Sequence, residues 1–212
     1  MQLNAPEIAL HQLMDVNFVP GNPRGGNRNN SADNPRGVKD WTHVNAISYN
    51  PVLDQIMLSY NTASELNIID HSTTTEEAKG HTGGRYGKGG DFLYRFGNPA
   101  TMRGDLLQKQ SLFVQHNIHW IPDGSNPCYD AVPGGAEGHI LLFNNGRVPD
   151  RHWTTVDEFK LPTAPASKGG YERAPTDGSQ GWDEGGFKKA EHIWVNPLVL
   201  CEPYHDATVF CV

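Results

Sequence analysis

The sequence predicts an all-β protein of short antiparallel strands, and three observations support that prediction. Glycine and proline are frequent, with 23 and 15 of the 212 residues, which is typical of strands joined by many turns. Short stretches that alternate between apolar and polar residues recur along the chain, as expected of half-buried strands. Hydrophobic residues make up only 37%, which argues against a helical bundle. The length fits a single domain.

The first half of the chain contains four predicted strands, with the sequences WTHVNAISYN, QIMLSYN, ELNIIDHS and DFLYRFGN. A turn at Pro51 and Asp54 separates the first two strands, and a long glycine-rich loop precedes the fourth. Four short strands joined by turns predict an up-and-down antiparallel sheet, which is the size of one propeller blade with a loop insertion.

The second half repeats this pattern with the predicted strands FVQHNIHWIP, GHILLFNNG and TTVDEFKLP. Each unit opens with a histidine-bearing strand, which indicates a weak internal repeat. We therefore expect an N-terminal segment and irregular loop over 1–39, propeller blades over 40–161, and a loop-rich, atypical tail without a further whole blade over 162–212. Two or three blades would leave the faces of the end sheets uncovered. The chain is accordingly expected to be part of a longer or truncated protein.

Charge and composition exclude several classes of partner. The formal charge is −7, from 17 basic and 24 acidic residues, which disfavours nucleic acid and anionic membranes. No apolar run approaches the ~18 residues of a membrane span, and the N-terminus lacks the pattern of a signal peptide. The three cysteines, Cys128, Cys201 and Cys211, do not have the spacing of a zinc site. A single disulfide between Cys201 and Cys211 stays open as an alternative.

Two polar strand starts are candidates for chemistry. On a regular strand His43 and Asn45 share one face, and they either line a wet channel or simply pack at a strand end. In the second unit His116 and His119 are three residues apart, so they should point to opposite faces of a strand and make a poor metal pair. One of the two histidines is then a candidate channel residue and the other a structural residue, unless both are ordinary half-buried histidines.

Two further groups could bind an anion. Arg147 follows an Asn-Gly turn signal and Arg151 lies four residues on, so either could hold an oxyanion with a bidentate fork, unless the segment is only a turn. Arg85 and Lys88 lie in the glycine-rich loop, whose backbone amides could also bind an anion, unless the loop is a structural connection. The loop lacks the Walker A spacing, and no serine-hydrolase or zincin motif is present.

The stretches DWTHVNAISYNPVLDQIMLSYN, IIDHSTTTEEAKGHTGGRYGKGGDFLYRFGNP and QHNIHWIPDG with GHILLFNNG resemble the bacterial-type arylsulfotransferases (aryl-sulfate sulfotransferases). The resemblance covers roughly residues 40–160. It implies a six-bladed β-propeller, with its site in the central channel and without a cofactor. It also implies transfer of a sulfuryl group from an aryl sulfate to a phenol through a sulfated histidine, with no nucleotide donor.

The same resemblance implies roles for individual residues. His43 and His116 match the channel histidines of the family and would serve in acid–base chemistry and in binding sulfuryl oxygens. Asn117 is a weaker companion. Arg147 matches the arginine after the turn, although a spacer is missing and Arg151 could fill that role.

The family's nucleophilic histidine lies in a later blade, whose pattern the tail does not show. His192 and His205 lie in that region without a match to the family. The alternative expectation is therefore a catalytically inactive propeller fragment that acts as a binding or scaffold module. A third alternative, a histidine-rich metal-binding protein, is supported only by the count of ten histidines. The oligomeric state stays open, with a homo-oligomer among the alternatives. The compartment stays open as well, because family members are often exported whereas this N-terminus lacks the pattern of a signal peptide.

Overall fold

The computed structural model describes residues 42–102, 110–121, 138–147, 150–166, 170–173 and 187–198 of the 212-residue chain. Several sequence-based predictions lie outside the described residues. They are the N-terminal segment and loop over 1–39, His205 and the disulfide between Cys201 and Cys211.

The described chain forms two four-stranded antiparallel sheets, and in each sheet the strands lie in sequence order. The strands are β1 (Val44–Asn50), β2 (Gln55–Tyr60), β3 (Glu65–Asp70) and β4 (Tyr94–Phe96) in the first sheet, and β5 (His116–Trp120), β6 (His139–Asn144), β7 (Thr154–Lys160) and β8 (Glu191–Leu198) in the second. Helical structure among the described residues is short and includes one α-helical turn, α1 (Thr75–Ala78), and a 3-10 helix over Pro99–Met102. The prediction of an all-β protein with four-stranded antiparallel sheets is confirmed.

The second sheet takes its outer strand from the part of the chain expected to be an atypical tail. β8 pairs antiparallel with β7, from Lys160 opposite Glu191 to Thr154 opposite Leu198. Pro197 lies within β8, and proline argues against an interior strand because it removes a ladder hydrogen bond. An edge strand tolerates proline, so this segment completes the sheet although its sequence did not predict a strand.

The core lies between the two sheets and is rich in aromatic rings. In β2 the side chains of Gln55, Met57 and Ser59 are buried and alternate with half-buried neighbours. The ring of Phe96 packs edge-on against the ring of Phe159 with centroids 5.0 Å apart, which joins the first sheet to the second. Complete burial of such an apolar side chain contributes about 1.5–3 kcal/mol, so ring contacts across the sheets are a main source of stability.

The first strands of the two sheets lie side by side. Near their starts, Asn45 Nδ2 in β1 donates to the carbonyl oxygen of Gln115, just before β5, at 2.8 Å. Further along both strands, the backbone amide of Trp120 donates to Ser48 Oγ at 3.4 Å. Because both contacts advance in the chain direction, β1 and β5 run parallel, and the two histidine-bearing segments are neighbours.

Both of these strands carry an irregularity where the sequence predicted regular alternation. The β1–β2 register shifts between Val44 and Ala46, and the β5–β6 register shifts between His116 and His119. His43 precedes β1 with φ +44°, and Asn117 within β5 has φ +52°. An extra residue in one strand changes the direction of the side chains around it, so the expected common face for His43 and Asn45 is not maintained.

Candidate functional site

Most of the candidate residues lie at one end of the two sheets, which we call the histidine end. β1 and β5 both begin there, next to His43 and at His116. β6 runs antiparallel to β5 with Phe143 opposite His116, so the β6–β7 connection with Asn145 and Arg147 returns to the same end. We therefore define the histidine end by His43, Asn45, His116, Asn145 and Arg147.

The His116 imidazole is half-buried and is held by the β6–β7 connection. Its Nδ1 lies 2.7 Å from Asn145 Oδ1. The backbone carbonyl of Asn145 in turn accepts a hydrogen bond from Thr154 Oγ1 at 2.8 Å. Two connected contacts therefore fix this ring relative to the second sheet.

The two asparagines of the first sheet join it to the start of β5. The side-chain amides of Asn45 and Asn61 both donate to the carbonyl oxygen of Gln115, at 2.8 and 3.1 Å. Asn45 Oδ1 is buried and accepts no hydrogen bond from the part of the chain that the structure describes. The amide of Asn45, a candidate for substrate binding because the sequence places it beside His43 at a polar strand start, thus connects two strands. His43 is exposed, and its carbonyl oxygen accepts from the backbone amide of Asn61 at 3.2 Å.

The buried glutamine before His116 was missed by the sequence analysis. Gln115 Nε2 donates to Ser59 Oγ at 3.0 Å and to the carbonyl oxygen of Glu65 at 3.1 Å. A single glutamine beside a histidine carries no spacing signal, so only the packed structure reveals this role. Gln115 anchors the start of β5, and hence the backbone next to His116, to the first sheet.

The two arginines of the β6–β7 connection differ in their surroundings. Arg151 is buried, and its Nη1 donates to the carbonyl oxygens of Asn144 and Trp153, both at 3.0 Å. Its Nη2 donates to Thr155 Oγ1 at 2.7 Å. Burial lowers the pKa of Arg151, and the charge of Asp157 acts in the opposite direction; a guanidinium remains protonated at neutral pH. Arg151 therefore holds the connection together.

Arg147 is less buried than Arg151. Its side chain is 17% exposed, and its Nη2 lies 3.8 Å from Asp150 Oδ2, which is beyond hydrogen-bonding distance. Its backbone forms an isolated bridge with that of Arg151. Of the two arginines named from the sequence, Arg147 belongs to the histidine end and Arg151 is held by the acceptors of the connection.

The bulge in β5 corrects the predicted orientation of its histidines. His116 lies opposite Phe143 and His119 opposite Leu141, two positions apart on β6, so both histidines belong to the same face of the sheet. The prediction of opposite faces was wrong because the extra residue in the bulge inverts the alternation between the two histidines. Asn117 is exposed, and its carbonyl oxygen lies 2.9 Å from His119 Nδ1. No group of three metal-ligating side chains exists among the described residues.

The glycine-rich loop, Gly80–Gly90, uses its backbone amides within the chain. The amide of Tyr86 donates to Asp70 Oδ2 at 3.1 Å and that of Gly84 to Glu77 Oε1 at 3.2 Å. The amide of Arg85 donates to Ser72 Oγ at 2.6 Å. Two carboxylates of the protein thus occupy amides that an anion would need. We call the loop and these two carboxylates the loop end.

The loop end lies far from His116. Arg85 Nη1 donates to the carbonyl oxygen of Val52, in the turn that follows β1. A seven-residue strand such as β1 spans about 20 Å, and His43 precedes its other end. Arg85, and with it the loop that contains Lys88, is therefore not brought together with the histidine end.

His192 lies on the outermost strand of the second sheet. Its ring stacks on that of Phe159 with centroids 4.5 Å apart, and its Nε2 is 3.6 Å from the buried Asp157 Oδ1. Three strand spacings of about 4.8 Å separate β8 from β5, which amounts to about 14 Å. His192 is thus apart from His116.

Comparison with known proteins finds no matching family model, no matching curated protein and no matching solved structure. Within the described ranges, no helix has both the length and the apolar character needed to cross a membrane.

Proposed function

We propose that the histidine end belongs to an aryl-sulfate sulfotransferase type of site, which transfers a sulfuryl group from an aryl sulfate to a phenol without a nucleotide donor. The observation that carries this proposal is the contact between Asn45 and the carbonyl oxygen of Gln115. That contact joins the segments of His43 and His116, the two histidines that the family resemblance singled out.

We also propose that the two sheets are adjacent blades of a β-propeller. Two features support this arrangement: each sheet follows sequence order, and the first strands β1 and β5 run parallel beside each other. In a propeller the first strands of all blades surround the central channel. The polar starts of β1 and β5 would then face a common channel.

The proposed chemistry has two half-reactions. In the first, an imidazole nitrogen attacks sulfur, the N–S bond forms, and the S–O bond to the aryl group breaks. The electron pair of that bond leaves with the phenolate, which takes a proton from a general acid. In the second, the oxygen of the acceptor phenol attacks sulfur, its proton passes to a base, and the N–S bond breaks. The nucleophilic imidazole is not assigned to a residue of this chain.

The residues of the histidine end have complementary roles in this proposal. The imidazoles of His43 and His116 serve as acid and base. Arg147 binds the sulfuryl oxygens, because a guanidinium offers paired donors to an oxyanion. Asn45 and Arg151 hold the backbone next to these groups in place. Asn45 does so by donating to the carbonyl oxygen of Gln115, and Arg151 by donating to that of Asn144.

A second candidate function, that of a binding or scaffold module, is favoured by one specific surface. The outward side chains of β1 include Ile47, which is 71% exposed, and Tyr49, which is 46% exposed. Ile47 lies opposite Leu58 in the β1–β2 register, so apolar side chains continue across this face. An uncovered apolar sheet face of this kind suits contact with another protein.

A transfer assay separates the two candidates. Purified protein is mixed with 4-nitrophenyl sulfate, with and without phenol, and nitrophenolate release is followed beside the variants His43→Ala and His116→Ala. The enzyme proposal predicts release that requires the acceptor and falls at least about 100-fold in both variants. It also predicts protein that gains the mass of one sulfuryl group when phenol is omitted. Folded wild-type protein that shows neither release nor sulfation would overturn the enzyme proposal and support the binding module.

A further inference from the structure

We propose that Asn145 is a positioning residue that fixes the tautomer of His116. This inference rests on the proposed sulfuryl transfer for its functional meaning, because it concerns a histidine of that site. The sequence indicated Asn145 only as part of an Asn-Gly turn. In the structure its side chain points instead at the imidazole, with Oδ1 2.7 Å from Nδ1.

The polarity of this contact determines where the ring proton lies. An amide oxygen can only accept a hydrogen bond, so His116 Nδ1 must be the nitrogen that donates. In the neutral ring the other nitrogen, Nε2, then carries the lone pair. The unprotonated nitrogen is the one that takes a proton or forms a covalent bond, so the Asn145 contact determines which ring atom performs chemistry.

The surrounding turn holds the Asn145 side chain in place. Thr154 Oγ1 donates to the Asn145 carbonyl oxygen at 2.8 Å. Arg151 donates to the carbonyl oxygens of Asn144 and Trp153, on both sides of the connection. Gly146 has φ +78°, a conformation that glycine adopts without strain. A side chain can hold a functional ring in one orientation only if its own backbone is rigid.

The same structure provides an internal reference. His119 Nδ1 lies 2.9 Å from the carbonyl oxygen of Asn117, which also can only accept. His119 is therefore expected to carry its proton on Nδ1 as well, through a contact that does not involve Asn145. A change confined to His116 would identify the side chain of Asn145 as its cause.

The test is nitrogen-15 NMR of the imidazole rings in wild-type protein, Asn145→Ala, Asn145→Asp and Thr154→Val, at a pH where the rings are neutral. We expect protonated Nδ1 for His116 in the wild type and a mixture of tautomers in Asn145→Ala. Asn145→Asp restores an acceptor and with it the wild-type tautomer, and Thr154→Val gives an intermediate result. His119 stays unchanged throughout and reports that each variant is folded. The same tautomer of His116 in wild type and Asn145→Ala, or protonated Nε2 in the wild type, would overturn the inference.

The activity readout keeps the two proposals apart. In the transfer assay Asn145→Ala should lower kcat about 10-fold or more, as loss of a partner that orients a functional histidine does, and Asn145→Asp should recover part of the loss. An expected tautomer shift without any wild-type transfer would leave the positioning role standing and remove the proposed function. Transfer that Asn145→Ala leaves unchanged would remove the role of Asn145 in that reaction.

Discussion

The two ends of the sheet pair use their polar groups differently. At the loop end, Asp70 and Glu77 accept hydrogen bonds from the amides of the glycine-rich loop, so charged groups and amides satisfy one another within the protein. At the histidine end, His43 is exposed, His116 is half-buried, and Arg147 Nη2 lies 3.8 Å from Asp150 Oδ2. The difference teaches that carboxylates of the protein itself hold the distinctive glycine-rich loop, whereas the side chains for which we propose chemistry lie at two strand starts and in one strand connection.

The largest effect is expected from Asp70→Ala. This substitution removes a buried carboxylate that accepts from the amides of Ser72 and Tyr86 and from Ser72 Oγ, and buried donors left without an acceptor are costly. We expect the free energy of unfolding to fall by about 2–4 kcal/mol, measured by chemical denaturation. The control Glu76→Ala changes an exposed pair with Lys79 and should cost at most about 1 kcal/mol. Equal losses in the two variants would contradict the structural role of Asp70.

A smaller effect is expected from the difference between Gly89→Ala and its matched control, Gly87→Ala. Both glycines have positive φ, of +56° and +69°, so both variants lose about 1–2 kcal/mol to backbone strain. A Cβ at Gly89 would collide with the carbonyl oxygens of Gly80 and Glu77, whereas nothing lies near a Cβ at Gly87. Gly89→Ala should therefore cost about 1–3 kcal/mol more than its control. Similar thermal unfolding of both variants would mean that the loop is looser than described.

The smallest effect concerns pH and Glu77. Hydrogen bonds from the backbone amides of Thr74 and Gly84, and from the Thr74 hydroxyl, hold the pKa of Glu77 below its ordinary value. A lowered carboxyl pKa contributes stability above the unfolded-state pKa and loses it as the pH falls through the folded-state pKa. The melting temperature of wild type should thus exceed that of Glu77→Gln near neutral pH, and the gap should close as the pH falls below about 4.5. A gap that stays constant across this range would contradict the account.

The strands of the molecule were predictable because alternation and turn residues are local signals. The sequence indicated all of β1–β7, and β2 shows the expected alternation between buried and half-buried residues. β8 was missed because Pro197 interrupts its pattern. The predicted faces of β1 and β5 failed because one extra residue in a bulge inverts the alternation without leaving a mark on local composition.

The candidate site was predictable only in part, because its contacts join distant residues. Histidine and arginine attract notice by their chemistry, so His116 and Arg147 could be named from the sequence. Asn145, which contacts His116, lies 29 positions away along the chain, and the Gln115 amide reaches acceptors 50 or more positions away. The amides of the glycine-rich loop looked available for an anion because Asp70, which binds one of them, lies 16 positions earlier.

The most direct test compares the two ends in one assay. Acceptor-dependent nitrophenolate release from 4-nitrophenyl sulfate is measured for wild type, for His116→Ala and Arg147→Ala at the histidine end, and for His71→Ala and Arg85→Ala beside the loop end. His71 and Arg85 are exposed, so their replacement should leave folding intact. We expect losses of about 100-fold or more only at the histidine end. Equal losses at both ends, or wild-type release that the histidine-end variants leave unchanged, would contradict it.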